Sequence, residues 1–409
     1  MSADLTLTFT LLVFIATYAV IAIGKLPGYR IDRAGAALLG GSVLVGVGVL
    51  TPQEAYAAVD IDTIVLLLGM MIVVANLRVS GFFRVVNAYI ARHVRRPVTL
   101  LIAIAAASGV LSAFLVNDTI CLVMTPLVTE LTLRMKRNPV PYLLAVAMCS
   151  NIGSVATITG NPQNMIIGSL SQVSYGAFAA TLAPIALFGM VAAVLLILAV
   201  HRREFRAGER LPTVRLPAHH HRTLMTKTLV VLAAMIVLFF LGQPVAKVAI
   251  VGGSLLLLTR RVSPTKIYRQ IDWPLLVMFT GLFIVVEALE KVAVGPQAIA
   301  AVGRLRLDDP TVLSGITAIL SNLVSNVPAV LVLKPFVEPL ADPQRAWLVI
   351  AMASTLAGNF TLVGSVANLI VAERARAHGA TLGFWSYFRV GAPLTVLTIA
   401  AGIVWLSLV

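Results

Sequence analysis

Thr159-Gly160-Asn161-Pro162-Gln163-Asn164 interrupts an apolar run that extends from residue 141 to residue 169. A second run, from 346 to 372, is interrupted in the same way by Gly358-Asn359 and Gly364-Ser365. Glycine and proline release backbone groups that lipid cannot satisfy, and Asn, Gln and Thr side chains are costly at that depth unless they are hydrogen-bonded. These stretches predict two broken helices that build a polar site. The alternative is a pair of kinks whose polar groups are satisfied by neighbouring helices.

The amino-acid composition places these runs in a lipid bilayer. Of 409 residues, 59% are hydrophobic and 12% are charged, whereas soluble domains have roughly 45–50% and about 25%. The apolar residues come in runs of about 15 to 25, the length that spans a hydrocarbon core. The net charge of +14 comes from Lys and Arg between the runs, without the basic face of a nucleic-acid-binding protein. Cys121 and Cys149 lack the spacing of a disulfide framework or a zinc site.

Two longer runs, 99–133 and 311–340, carry a polar kink at mid-length. The kinks are Asn117-Asp118-Thr119 and Ser325-Asn326-Val327-Pro328, and each predicts a re-entrant hairpin that returns to its own side of the membrane. With two hairpins the chain has about ten spans, and 25 of its 31 Lys and Arg residues fall on one set of loops. Five fall on the opposite set, and Lys334 lies inside the second hairpin. Because basic residues favour cytoplasmic loops, both termini are predicted to lie outside a plasma (inner) membrane.

The second half of the sequence repeats the first. Gly40-Gly41-Ser42 recurs as Gly252-Gly253-Ser254, 212 residues later, while the hairpin tips match at an offset of 209 and the broken helices at an offset of 204. Each half contains five spans and one hairpin, so an odd number of crossings inverts the second copy. The predicted fold is an all-α polytopic membrane protein of two inverted repeats. Its expected divisions are a first repeat at 1–200, a basic cytoplasmic linker at 201–227 and a second repeat at 228–409.

Asp118 is the carboxylate that this topology places at mid-membrane depth, while the others fall at span ends or in loops. An intramembrane acid is costly and is a functional candidate by default. It would exchange protons during transport, or ligate a sodium ion together with Asn117 and Asn326. A purely structural Asp, bonded to backbone N–H groups of the hairpin, is the alternative. The second tip has Val327 in place of the acid, and Lys334 in its returning arm is expected either to snorkel outward or to balance an anion.

The same motifs resemble the ion transporter superfamily, and most closely its arsenite and silicon efflux branch. The resemblance rests on residues 150–167, on the tip Asn117-Asp118-Thr119 and on residues 357–371, and it extends over almost the full chain. It implies two hairpins, a scaffold domain that forms a homodimer and a transport domain that moves as an elevator. Divalent-anion/sodium symporters of this superfamily carry Ser-Asn-Thr at both tips, which this chain lacks. That departure speaks against sodium/dicarboxylate symport, and Asp118 favours protons as the coupling ion.

These residues predict a secondary active transporter for a small inorganic oxyanion or a neutral hydroxylated acid, working as proton-driven efflux. A sodium/proton antiporter that uses Asp118 is the first alternative, and a sodium-coupled anion symporter is the second. An intramembrane enzyme is not expected, since no span contains an HExxH or GxSxG pattern. No cofactor or metal other than sodium is expected, and an ATPase would have to be a separate subunit because the sequence has no Walker A motif. The expected binding residues are Asn117, Asp118, Thr119, Thr159, Gly160, Asn161, Pro162, Gln163, Asn164, Ser325, Asn326, Val327, Pro328, Asn359, Gly364, Ser365 and Asn368, with Asp118 as the coupling residue.

Overall fold

A computed structural model describes residues 3–24, 28–206, 210–212, 214, 219–259, 262–293 and 304–409. The secondary-structure elements in these ranges are nineteen α-helices and one short 3-10 helix, which confirms the all-α prediction. Part of the predicted linker lies outside the described residues. So do four of the basic residues in the loop count, namely Lys25, Arg215, Arg260 and Arg261.

The helices follow one another in the same order in both halves of the chain. The first half contains α1 (Ala3–Ile23), α2 (Arg33–Gly46), α3 (Pro52–Ala58), α4 (Ile61–Ser80), α5 (Phe82–His93), α6 (Pro97–Phe114), α7 (Asn117–Arg134), α8 (Pro139–Ser154), the 3-10 helix (Ile158–Gly160), α9 (Pro162–Leu170) and α10 (Tyr175–Val200). The described residues of the second half contain α11 (Arg222–Phe240), α12 (Val245–Leu257), α13 (Pro264–Tyr268), α14 (Trp273–Ala293), α15 (Pro310–Val324), α16 (Asn326–Val337), α17 (Pro343–Ala357), α18 (Val366–Ala377) and α19 (Phe384–Leu408).

The lengths of the helices agree with a membrane environment. Within the described ranges, six helices are long and apolar enough to cross a bilayer, namely α1, α4, α6, α10, α11 and α19. Four shorter helices, α2, α12, α15 and α16, are also apolar. The chain is therefore a multi-pass membrane protein. The ten-span topology, the re-entrant path of the hairpins and the outside position of both termini stay predictions.

The polar hairpin tips lie just after the non-helical backbone. Leu115 and Val116 separate α6 from α7, so Asn117-Asp118-Thr119 forms the first turn of α7 and not a non-helical tip. Ser325 alone separates α15 from α16 and has a φ of 78°, and Asn326-Val327-Pro328 begins α16. The first turn of a helix has free N–H groups and the positive end of the helix dipole. Each polar motif therefore brings a helix N-terminus into the middle of the fold.

Local sequence explains where the broken helix of the first half restarts. α8 ends at Ser154, and α9 begins at Pro162 after a break that contains the 3-10 helix. The Asn161 side chain accepts a hydrogen bond from the backbone N–H of Asn164 at 2.9 Å. Asn is a favoured N-cap residue, and proline is a favoured first helical residue. In the second half, residues 358–365 form the corresponding break between α17 and α18.

In the closest helix packing, a helix of one half packs on a helix of the other half, and this happens twice with equivalent helices. α4 packs on α12, and α14 packs on α2. A Cβ added at Gly69 of α4 would lie 2.4 Å from the backbone carbonyl carbon of Ala249, and a Cβ added at Gly281 of α14 would lie 2.4 Å from that of Ala37. Both glycines and both alanines are 212 residues apart. The two contacts are thus one contact made twice, which supports the internal duplication, while its inversion across the membrane stays a prediction.

The helices fall into two groups. The scaffold group contains α1, α2, α4, α11, α12 and α14, which pack on one another. The hairpin group contains α6 to α10 and α15 to α19, and it includes both hairpins and both broken helices. The groups touch where α1 meets α15, where α14 meets α16 and where α4 meets α9. The polar breaks are consequently next to the boundary between the two groups.

Candidate functional site

A cavity of about 50 Å³ lies where the two hairpin tips and the two helix breaks meet. That space holds a few water molecules. The scaffold group closes one wall with Ile21, Arg33 and apolar residues of α14. Nine of the predicted site residues line the cavity, namely Asn117, Asp118, Pro162, Gln163, Ser325, Asn326, Val327, Pro328 and Ser365.

Asp118 lines a second cavity as well. This cavity has a volume of about 90 Å³ and is also lined by Thr119, Arg78, Gln270 and Asp272. The Asp118 side chain is half-buried, and no hydrogen bond in the described part of the chain ties its carboxylate to a backbone N–H. A structural role for Asp118 as a hairpin cap therefore has no support in this conformation.

Seven predicted residues lie behind the cavity and shape it indirectly. Their side chains hydrogen-bond neighbouring elements, as when the Thr159 hydroxyl lies 2.9 Å from the Tyr175 hydroxyl. The glycines permit close backbone approach, since a Cβ at Gly160 would lie 2.2 Å from the carbonyl oxygen of Ser154. The seven are Thr159, Gly160, Asn161, Asn164, Asn359, Gly364 and Asn368.

Two asparagines hold the two breaks by the same hydrogen bonds. The Asn164 Nδ2 donates to the carbonyl oxygens of Ser154 at 3.0 Å and Thr157 at 3.1 Å. The Asn368 Nδ2 donates to those of Gly358 at 2.7 Å and of Thr361, the residue 204 after Thr157, at 3.2 Å. Each side chain supplies a donor for carbonyls that the break has released from helical pairing. These asparagines therefore stabilise the backbone of the breaks.

Asn151 of α8 connects the first tip to the second break. Its Oδ1 accepts a hydrogen bond from Asn117 Nδ2 at 3.0 Å, and its Nδ2 lies 2.9 Å from Asn359 Oδ1 and 3.0 Å from Asn368 Oδ1. The side chain is almost fully buried. Sequence reasoning missed this residue as a site member, although a lone Asn inside the apolar α8 is a signal that a polar partner is nearby.

Thr355 of α17 makes the corresponding connection in the other direction. Its hydroxyl accepts hydrogen bonds from Asn161 Nδ2 at 3.2 Å and Gln163 Nε2 at 3.0 Å. Thr355 follows Asn151 by 204 residues, the offset of the broken helices. The two halves are thus joined at their breaks by two equivalent but chemically different side chains.

Two buried amide oxygens near the cavity have no hydrogen-bond partner within the described part of the chain. They are Asn117 Oδ1 and Asn164 Oδ1. A buried acceptor without a donor costs free energy, and such groups in a native protein call for an explanation such as a bound water, ion or ligand. Asn117 lines the cavity beside Asp118, while its Oδ1 has almost no accessible surface.

The family of the chain follows from comparison with known proteins. A family model described as "CitMHS: Citrate transporter" matches residues 18–357, which contain both tips and the first break. The chain belongs to the CitMHS family of citrate transporters. It is therefore a membrane transporter.

This CitMHS chain is similar to other transporters in sequence and in fold. It is 30% identical to an uncharacterised transporter of Mycobacterium tuberculosis, with 97% of each chain covered. It is also 30% identical to the silicon efflux transporter LSI3 of Oryza sativa subsp. japonica, with 93% of each covered. The YdaH transporter of Alcanivorax borkumensis shares 16% identity and a TM-score of 0.62, over 99% of this chain and 97% of that chain. At that identity the likeness concerns the fold.

Lys334 in this CitMHS transporter has a partner inside the protein. Its Nζ lies 3.2 Å from Glu290 Oε1 of α14, and both side chains are more than half-buried. Lys334 therefore neither extends alone to the membrane surface nor faces the tip cavity as a free cation. Sequence analysis missed the pair because the two residues lie in helices that only the folded chain brings together.

Proposed function

We propose that this CitMHS-family transporter moves a small neutral hydroxylated acid, as efflux driven by protons that enter, with a small inorganic oxyanion as the alternative solute. The observation that carries the proposal is the tip cavity, which is lined by Asp118 together with Asn117, Gln163 and Asn326. An ionised carboxylate only accepts hydrogen bonds, and side-chain amides both accept and donate. A small solute rich in hydroxyl groups matches such a lining.

The volume of the cavity supports a small solute. About 50 Å³ of free space suits a molecule of a few heavy atoms, such as silicic or arsenious acid, in this conformation. The rice relative named as a silicon efflux transporter supports the same class. A tricarboxylate such as citrate, which the family description suggests, is larger and carries three negative charges, whereas the cavity lining contains Arg33 as its one described cation beside the acidic Asp118.

The chemistry of Asp118 explains how protons would drive efflux. An ionised carboxylate accepts hydrogen bonds from the hydroxyls of a neutral acid, whereas a protonated carboxyl has become a donor. Proton and neutral solute therefore compete for one site, and competition of this kind gives exchange. A fully charged anion would bind better beside a protonated Asp118 and would travel with the proton. Whether the proton moves against the solute or together with it thus distinguishes the neutral acid from the charged anion.

The helix groups suggest how the site would move. The hairpin group carries both tips and both breaks, and the scaffold group touches it along a limited boundary. We propose that the hairpin group travels relative to a scaffold that forms a homodimer, as an elevator in the plasma membrane with both termini outside. Sodium is the alternative coupling ion, because the side-chain oxygens of Asn117, Asp118 and Asn326 lie at one cavity and oxygen ligands suit hard cations.

The proposal is tested with purified protein in proteoliposomes. Silicic acid, arsenite, sulfate and citrate are loaded inside, and release is followed with an imposed pH gradient, with a sodium gradient and with neither. We expect proton-dependent release of silicic acid or arsenite, together with proton movement in the opposite direction. Transport of citrate alone, or release that follows only the sodium gradient, would overturn the proposal.

A further inference from the structure

Arg33 and Asp118 are the two charged side chains among the described residues that line the tip cavity. Arg33 is the first residue of α2, in the scaffold group, and Asp118 is the second residue of α7, in the hairpin group. Both residues line the same cavity, and no ion pair within 4 Å joins them among the described residues. The two helix groups therefore meet here through opposite charges separated by a small free space.

The Arg33 guanidinium lies near the end of α1. Its Nε and Nη2 would both lie 3.7 Å from a Cβ at Gly24. Gly24 has a φ of +93° directly after the last residue of α1. The last carbonyls of a helix attract a cation, because they form the negative end of its dipole. Arg33 is thus placed favourably on the scaffold, at a position that lines the cavity.

The equivalent positions in the second half show whether the fold itself requires Arg33 and Asp118. The residue 212 after Arg33 is Val245, which is the first residue of α12. The residue 209 after Asp118 is Val327, which is the second residue of α16. Both charges are therefore replaced by valine in the second half, although the helices around them are preserved. Packing does not require either charge, and the two occur together in one half.

Other charges near Asp118 come from two further elements. Asp272 immediately precedes α14, and Arg78 lies in the last turn of α4, and both line the second cavity. Asp272 has the same charge sign as Asp118 and opposes the effect of Arg33 on it, whereas Arg78 has the same charge sign as Arg33. On the side of the tip cavity, the described lining offers Arg33 from α2 as the counter-charge.

We propose that Arg33 is a positioning residue for coupling, which holds the ionised and unoccupied Asp118 at the scaffold and lets the hairpin group leave only after Asp118 has taken up a proton or has been satisfied by the hydroxyl donors of the solute. This inference rests on the proposed function. An ionised carboxylate that moves away from its counter-charge into a region of low dielectric loses a favourable interaction and gains none. A protonated Asp118 carries no charge and moves freely. Arg33 thereby makes the movement of the hairpin group depend on whether Asp118 is protonated or satisfied by the solute.

The test measures the pH dependence of solute release from proteoliposomes. Arg33→Gln is compared with Arg33→Lys, which keeps the charge, and with Arg30→Gln, a nearby exposed arginine. We expect Arg33→Gln to raise the pH of half-maximal release by about one unit, because an opposite charge at this range shifts protonation by that order. Arg33→Lys should restore the wild-type profile, and Arg30→Gln should leave it unchanged.

A double variant keeps the test decisive. In Asp118→Asn the group that Arg33 acts on is gone and proton-driven release should be at background, so adding Arg33→Gln should restore none of it. A folded Arg33→Gln protein with the wild-type pH profile, or proton-driven release that returns in the double variant, would overturn the role of Arg33. Proton-driven release that persists in Asp118→Asn would instead overturn the proposed function. The two single variants and the double variant therefore separate the two failures.

Discussion

The two hairpin tips both begin a helix, and they differ in their charge. Each tip begins a helix beside the cavity, and behind the tips Asn164 and Asn368 hold the breaks by equivalent hydrogen bonds. Asp118 and Arg33 belong to the first half alone, with valine at both equivalent positions. What the halves have in common maintains the fold, and what they do not share is where coupling chemistry is expected. This comparison leads to four experiments.

The largest effect is expected from removing the acid of the first tip. Asp118→Asn keeps the size of the side chain and removes the exchangeable proton, so proton-driven release should fall to background. Val327→Ala at the equivalent position should retain most of the activity, because Val327 contributes no charge. Release from proteoliposomes with an imposed pH gradient measures both. Equal losses in the two variants would show that the tips act alike.

The scaffold contacts should respond equally in both halves. Gly69→Ala and Gly281→Ala each place a Cβ 2.4 Å from backbone atoms of a neighbouring helix, so each should destabilise the protein by about 3 kcal/mol or more. Gly315→Ala is the matched control, since nothing lies within 4 Å of its Cβ and alanine favours a helix by about 0.5–1 kcal/mol. Apparent Tm in detergent measures all three. A large difference between the first two would break the equivalence of the halves.

The two side chains that join the breaks should differ in importance. Asn151→Leu removes the partner of Asn117, Asn359 and Asn368, and buried polar groups left unpaired should cost roughly 1–3 kcal/mol. Thr355→Val removes one hydroxyl and should cost about 1 kcal/mol. Unfolding in denaturing detergent compares them, with proton-driven release as a second measurement. If Thr355→Val were more damaging than Asn151→Leu, Thr355 and not Asn151 would be the main connection between the two breaks.

The smallest effect is expected at the surface, where one half has a cap that the other lacks. Thr51 and Glu54 form a capping box at α3, and Lys291 Nζ lies 2.6 Å from the Glu54 carboxylate. The equivalent residue, 212 later, is Lys266, and α13 has no side-chain cap. The hydrogen bond from Lys291, followed by those from Thr51, lowers the pKa of Glu54 from 4.5 to about 2.

A lowered pKa in the folded state determines the sign of the pH effect. The Glu54 carboxylate contributes its stability fully above about pH 4.5 and loses it as the pH falls through about 2. Glu54→Gln should therefore lower the apparent Tm slightly at pH 7, with a smaller difference at pH 3. The effect is small because both partners are exposed and screened by solvent. A difference that grows toward pH 3 would contradict this assignment.

The broken helices and the polar tips were readable from the sequence because lipid makes polar residues costly. Gly, Pro, Asn and Asp inside long apolar runs stand out at once, and nine of the residues chosen in this way line one cavity. The exact position of the first tip could not be predicted in the same way. The non-helical residues are Leu115 and Val116, and Asn117 begins α7. The polar motif marks the start of a helix, and the turn before it is apolar.

Other parts of the site could not be read from one sequence. Arg33 was counted as a loop residue, and only the packing of α2 brings it to the cavity. Asn151 was missed because it lies in the same apolar run as the more conspicuous polar stretch at 159–164. The short helices α3, α5 and α13 were missed because a search for apolar runs passes over amphipathic segments, although α5 buries Phe83 and Ile90 on one face. Long-range packing decides these cases.

The exchanged packing of α2 on α14 and of α4 on α12 has a consequence for how the protein is made. When the ribosome has completed α10, the scaffold helices of the first half still lack the neighbours on which they close, because those neighbours are α12 and α14. The newly inserted half must wait in the membrane with Gly69 and Ala37 uncovered. Biogenesis of this transporter is therefore a single late event, and separately expressed halves should be stable only when both are present.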